Sequence, residues 1–218
     1  MILGKIVESH IANGKSSWEE IMIEQIFTPL GMDCGFGTLP ESSETSIDSP
    51  WGHIVANATA RPVPVGGPLP LRDYPTAFGP AGTVHCDIDS YAVWAKLHIN
   101  GFNGRPTPLG ISRETFKMLH TPYSSTNSSE TYTYGGWLYN DGLSSPWSNG
   151  PTLSHDGSNL AYYTLASLAP KLGDHGAVLT VYTNAGISLD GASGAATGAA
   201  NAVFEAMIGG RLFAQPRT

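Results

Sequence analysis

Charged residues are scarce in this chain. They make up 13% of 218 residues, and the formal net charge is −7. That sign disfavours non-specific binding to nucleic acid, which needs a basic surface. No apolar run approaches the ~18 residues that a membrane span needs, so no membrane-spanning helix is expected. Cysteine is confined to Cys34 and Cys86, whose spacing suits neither a zinc site nor a Cys-x-x-Cys redox pair. Whether the two pair with each other stays open from sequence. The histidines stand at 10, 53, 85, 98, 120, 155 and 175 and form no His-x-x-x-His pair. Neither a metal site nor a cofactor is therefore expected. Gly-x-Ser-x-Gly is also absent. The stretch Met1 to Glu8 has no basic start, long apolar centre or small-residue cleavage site, so it carries no sign of an export signal.

What is present is enough for a core. Hydrophobic residues reach 41%, which excludes a disordered chain, and the length suits a single domain over 1–218. Residues 1–12 read as a helix with Leu3, Ile6, Val7 and His10 on one face, ended by Asn13-Gly14. Ser16-Ser17-Trp18-Glu19 matches a capping box for a second helix, with Trp18, Ile21, Met22, Gln25 and Ile26 on its packed face and Pro29 and Gly31 as its stop. Proline is dense from Pro40 to Pro80, so a long excursion with short edge strands is expected there. Asp87 is placed to cap a helix carrying Tyr91, Trp94, Ala95 and His98, ended by Asn100-Gly101. Ser112 caps a shorter one reaching His120. Thr133 to Tyr139 reads as a strand, and Ala196 to Ile208 as an amphipathic helix with Phe204 packed on the sheet.

The chemistry centres on residues 149–184. Asn149-Gly150-Pro151 is a turn; Leu160–Leu168 and Ala177–Asn184 are apolar runs flanking a polar loop, the pattern of an antiparallel hairpin. Before it stands His155-Asp156-Gly157-Ser158. Glycine leaves room for a ligand against a strand backbone, and the N–H of Ser158 can then donate to a developing oxyanion. A plain turn has the same letters. The order of elements indicates an α+β protein: an antiparallel β-sheet flanked by helices, with a helical lobe.

Several segments, in order, resemble one known family. They are Leu3-Gly4-Lys5-Ile6-Val7-Glu8, Trp18-Glu19-Glu20, Ile26-Phe27 with Pro29-Leu30-Gly31-Met32, Gly79-Pro80-Ala81-Gly82, Tyr134-Gly135-Gly136-Trp137, His155-Asp156-Gly157-Ser158-Asn159 and Tyr182-Thr183-Asn184. Together they resemble the serine β-lactamase and penicillin-binding-protein-like hydrolases, most closely the class C type that includes D-peptidases and esterases. The resemblance implies acyl transfer on a lactam, ester or D-peptide, with a small-molecule acyl substrate. It places His155-Asp156-Gly157 at the family's third motif, Lys-Thr-Gly or His-x-Gly, on a sheet-edge strand. His155 then faces the substrate carboxylate or the catalytic tyrosine, and the Ser158 N–H forms half of the oxyanion hole. Asn159, Ala81 and Gly82 are implied to line the substrate.

One departure is large. Three places before Lys5, Lys15, Lys96, Lys117 and Lys171 stand Ile2, Ala12, Val93, Glu114 and Leu168, so there is no Ser-x-x-Lys. The family's Tyr-x-Asn or Tyr-x-Ser would fall before Met1. Tyr182-Thr183-Asn184 and Tyr123-Ser124-Ser125 match only in letters. The expectation is therefore a C-terminal portion of the family fold, inactive alone, lacking the N-terminal segment that carries the nucleophile. Its apolar surface would self-associate or take that segment from elsewhere. The alternative is a non-catalytic module of the same fold binding a ligand or partner. A lone serine esterase using Ser154 or Ser158 with His155 is disfavoured, because neighbouring strand residues point to opposite faces.

Overall fold

The computed structural model describes residues 2–10, 16–37, 49–50, 52–54, 63–65, 76–123, 130–143, 148–159, 161–184 and 206. The expected C-terminal helix, apart from Ala206, and its packing residue Phe204 lie outside the described residues.

The N-terminal half is mostly helical. Helix α1 spans Ile2–His10. Its only buried residue is Gly4, while Ile2, Leu3 and Ile6 are 79%, 76% and 46% exposed. The expected apolar face is thus not a core face. The helix approaches the body through its small residue: a Cβ on Gly4 would overlap the ring of Pro80. Ser17 and Glu20 form the capping box of α2 (Trp18–Met22), one residue later than expected. Adjacent serines and adjacent glutamates satisfy the pattern in either register. The chain then widens into a π turn, Ile23–Phe27, before α3, Thr28–Leu30. Pro29 has no N–H and would clash with the carbonyl four residues back, and a π turn relieves that clash. The π turn also rotates the packed face, so Phe27 is buried and Gln25 exposed. Pro29 sits inside α3, and Gly31 alone, at φ 64°, ends it.

Strand β1 (Cys34–Phe36) pairs antiparallel with β4 (Val84–Cys86), and Cys34 and Cys86 are joined in a disulfide. Between them in the chain, β2 (Gly52–Ile54) pairs with β3 (Val63–Val65), and the short helix α4 covers Gly79–Gly82. Asp87 caps α5 (Ile88–Phe102), accepting the Ser90 N–H at 2.6 Å. The hydrogen bonds from Ser90 hold the Asp87 carboxyl below its ordinary range. α5 runs through Asn100-Gly101 rather than stopping there. Gly101 is a packing residue, since a Cβ on it would overlap the Phe116 ring of α6, Arg113–Leu119. Ser112 caps α6 as expected, with its Oγ 3.1 Å from the Thr115 N–H.

The C-terminal half forms a five-stranded antiparallel meander. Its strands are β5 (Glu130–Tyr132), β6 (Leu138–Asn140), β7 (Thr152–Ser158), β8 (Tyr163–Ala169) and β9 (Ala177–Thr183). The 133–139 run is therefore a turn between two strands, not one strand; Gly136, at φ 82°, makes the bend. The expected 160–184 hairpin is present as β8 and β9. Ala95 and Ile99 of α5 meet Leu153, Ala166, Leu168 and Trp137 in the main core. Burial of each large side chain there stabilises the fold by about 1.5–3 kcal/mol. This is the expected α+β architecture, an antiparallel sheet with flanking helices.

Candidate functional site

β7, which carries His155, Gly157 and Ser158, is the central strand of the sheet and not the expected edge strand. β6 accompanies it over Thr152–Ser154, whereas β8 accompanies it from Leu153 to Ser158. The His155–Ser158 half of β7 therefore runs on past the end of the β6 ladder. Leu153, His155 and Gly157 share one face by strand alternation. Leu153 lies in the core under α5, while His155 and Gly157 are exposed. A Cβ at Gly157 would meet only Thr164 Oγ1, at 3.5 Å, and its φ is ordinary. Nothing in the fold thus demands glycine there, and the open space above it suits a close-lying ligand.

Ser158 and Asn159 shape the turn into β8. Ser158 Oγ donates to the Tyr162 carbonyl at 2.8 Å. Asn159 Oδ1 accepts the N–H groups of Ala161 and Tyr162 at 3.1 and 2.9 Å. The turn is braced from outside: the His53 N–H donates to the Ala161 carbonyl at 2.9 Å, and Tyr162 Oη donates to the Pro50 carbonyl at 2.9 Å. The Ser158 hydroxyl is committed to the turn, so it is poorly placed as a nucleophile. Ala81 and Gly82 are exposed on α4, in the helical lobe. α4 packs chiefly on the turn before it, and the adjoining Pro80 packs on α1. His155, Gly157, Ser158 and Asn159 are together on one strand and its exit, and Ala81 and Gly82 are on the short helix α4. An open apolar cleft of about 480 Å³ lies beside α4 instead, lined by Ile2, Leu3, Gly4, Val7, Trp18 and Pro80.

Two features were missed from sequence. The first is Tyr132, whose ring lies edge-on to His155 with centroids 6.2 Å apart. The second is a buried histidine pair behind the sheet. His98 Nδ1 lies 2.9 Å from His120 Nε2 and accepts the Trp137 indole N–H at 3.2 Å. An indole N–H only donates, so His98 Nδ1 is an acceptor and that ring is neutral, with His120 Nε2–H donating to the same nitrogen. Burial lowers the pKa of His98 to about 3, helped by His120, and that of His120 to about 4. His98 Nε2 and His120 Nδ1 have no hydrogen-bond partner among the described residues. Neither pairing shows as local spacing; only the fold brings these rings together. Tyr182, of the Tyr-x-Asn look-alike, lies against Tyr91 with ring centroids 5.5 Å apart and planes tilted by 35°, and burial raises its phenol pKa. That is a packing role. Among the described residues no group of three or more His, Cys, Asp or Glu could hold a metal.

This antiparallel meander packed against α5 is a fold found in solved penicillin-binding proteins. The octameric penicillin-binding protein homologue from Pyrococcus abyssi superposes with TM-score 0.65 at 23% identity, covering 96% of this chain and 41% of that one. A penicillin binding protein from Bacillus halodurans superposes with TM-score 0.61 at 14% identity, covering 94% and 52%. The chain thus spans about half, or less, of those two structures. No curated protein matches the sequence. The family model described as Beta-lactamase matches residues 1–204, and the chain belongs to that family. This match corrects the expectation of a C-terminal portion only: it starts at the first residue and runs along nearly the whole chain. No described helix is long and apolar enough to cross a membrane.

Proposed function

We propose that this chain binds a small acyl compound of the lactam, ester or D-peptide kind along the His155–Ser158 half of β7, and forms no acyl-enzyme with a serine of its own. The observation that carries this is the strand: His155 and the open face of Gly157 lie side by side where β7 outruns β6. In this reading His155 meets the ligand carboxylate and the Ser158 N–H polarises its carbonyl, the oxyanion-hole role. Asn159 holds that N–H in place through the turn. The absence of Ser-x-x-Lys from the sequence supports binding without acylation, because no lysine follows a serine at the i+3 spacing that would let it take the serine proton. The test is titration of isotopically labelled chain with N-acetyl-D-alanine. Saturable shifts of the His155 ring and the Ser158 amide are expected. Shifts confined to residues around the α1 cleft would refute the assignment.

A second reading concerns assembly. Ile2 and Leu3 project from α1 beside the apolar cleft, an arrangement that favours self-association. Light scattering at micromolar concentration tests it: a species larger than monomer is expected, and Leu3→Glu should shift it towards monomer.

A further inference from the structure

We propose that β2, which lies in the proline-dense stretch, positions the Ser158–Tyr162 turn for its ligand, with His53 and Tyr162 as positioning residues; this rests on the acyl-binding role of β7 given above. β2 is laid directly on that turn. Gly52 is buried, and a Cβ on it would overlap the Tyr162 ring and the Ala161 methyl group. Glycine serves close approach here. His53 stands opposite Pro64 of β3. Proline has no N–H to give to the ladder, and the His53 N–H turns the other way, to the Ala161 carbonyl at 2.9 Å. The His53 ring adds a second link. A carbonyl only accepts, so Nδ1–H donates to the Asn184 carbonyl at 3.0 Å. Tyr163 pairs with Thr183, so Ala161 and Asn184 lie at the same end of the sheet, and His53 ties them together. Tyr162 Oη makes the third link, donating to the Pro50 carbonyl at 2.9 Å.

Two of these links end on residues already bound to Ser158 and Asn159. The Ala161 N–H goes to Asn159 Oδ1 at 3.1 Å, while the Ala161 carbonyl takes the His53 N–H. The Tyr162 N–H goes to the same Oδ1 at 2.9 Å, and the Tyr162 carbonyl accepts Ser158 Oγ at 2.8 Å. Its ring hydroxyl reaches back to Pro50. Ala161 and Tyr162 are thus held on one side by Ser158 and Asn159 and on the other by β2 and the residue before it. A group that contacts a ligand is only as well placed as the contacts behind it. An amide fixed in advance also leaves less ordering to be done on binding. His155 lies further back along β7, opposite Ala166, away from these links. β2 therefore bears on the ligand carbonyl at Ser158 rather than on the carboxylate at His155.

The test is titration of isotopically labelled chain with two ligands, reading the Ser158 amide and the His155 ring. N-acetyl-D-alanine carries an acyl carbonyl and a carboxylate; propionate keeps only the carboxylate. Tyr162→Phe, which removes one hydroxyl, should weaken N-acetyl-D-alanine binding roughly two- to tenfold, the range for one neutral hydrogen bond. His53→Ala should act in the same direction. Propionate should bind both variants as it binds the parent chain. Ser112→Ala, which removes the α6 cap, should lower stability and leave both affinities unchanged. N-acetyl-D-alanine binding unchanged by Tyr162→Phe and His53→Ala would overturn the positioning role and leave the acyl-binding role standing. So would equal weakening of both ligands, or equal weakening by Ser112→Ala, since either marks a loss of fold alone. If N-acetyl-D-alanine shifts neither His155 nor Ser158 in the parent chain, the acyl-binding role falls and the positioning role falls with it.

Discussion

Single side chains carry the two most direct tests of how this fold works. Gly157 has room for a methyl group, with Thr164 Oγ1 at 3.5 Å as the nearest neighbour. Gly157→Ala should therefore leave the urea midpoint nearly unchanged while weakening acyl-ligand binding by fivefold or more. Loss of stability with unchanged binding would mean the glycine serves the strand alone. The contrast is Gly101, where a methyl group would overlap Phe116. Gly101→Ala should cost about 1–3 kcal/mol from overpacking, read by denaturant unfolding. The histidine pair sets a pH dependence. His98 and His120 are neutral in the fold, with pKa values lowered to about 3 and about 4, whereas an unfolded histidine titrates near 6.5. Below about pH 6.5 the unfolded chain binds more protons, so stability is full above that pH and falls as pH drops towards 4. The loss should reach about 2 kcal/mol for each histidine, on the order of 4 kcal/mol for the pair, by pH 5. Urea midpoints at pH 7 and pH 5 check this, and His120→Phe should reduce the difference between them.

At the scale of elements, what could be read in advance was what is local. Asp87 and Ser112 cap their helices because a cap needs only the residue and the next turn. Asp87→Ala should cost about 0.5–2 kcal/mol, measurable by thermal melting. The 160–184 hairpin was legible from its apolar runs. Gly101 was misread because a stop glycine and a packing glycine look alike until Phe116 is in place. The 133–139 run was misread because its β-formers outweighed the Gly135-Gly136 pair. The apolar stripe of α1 was misread because Gly4, not the stripe, meets Pro80. The pairing of Cys34 with Cys86 was open because it depends on β1 lying beside β4. Intact mass with and without reductant should show no free thiol in the oxidised chain. The bond spans 52 residues, and chain entropy makes it worth roughly 4 kcal/mol, so Cys34→Ser with Cys86→Ser should lower the unfolding midpoint clearly.

For the molecule as a whole, the candidate site was legible in part. His155, Gly157, Ser158 and Asn159 are close in the chain, so naming them as candidates needed no fold. Tyr132 joins His155 only through the sheet. The extent of the family match was misjudged, because a missing short motif was weighed more heavily than the ordered blocks from residue 1 onwards. The central claim remains chemical: the chain is a member of the beta-lactamase family with no Ser-x-x-Lys in its 218 residues, and we propose that it binds an acyl compound along β7 without being acylated. Incubation with a fluorophosphonate and with a penicillin, followed by intact-mass measurement, tests this most directly. An unchanged mass is predicted with both reagents; one covalent adduct per chain, mapped to a single serine, would contradict the claim.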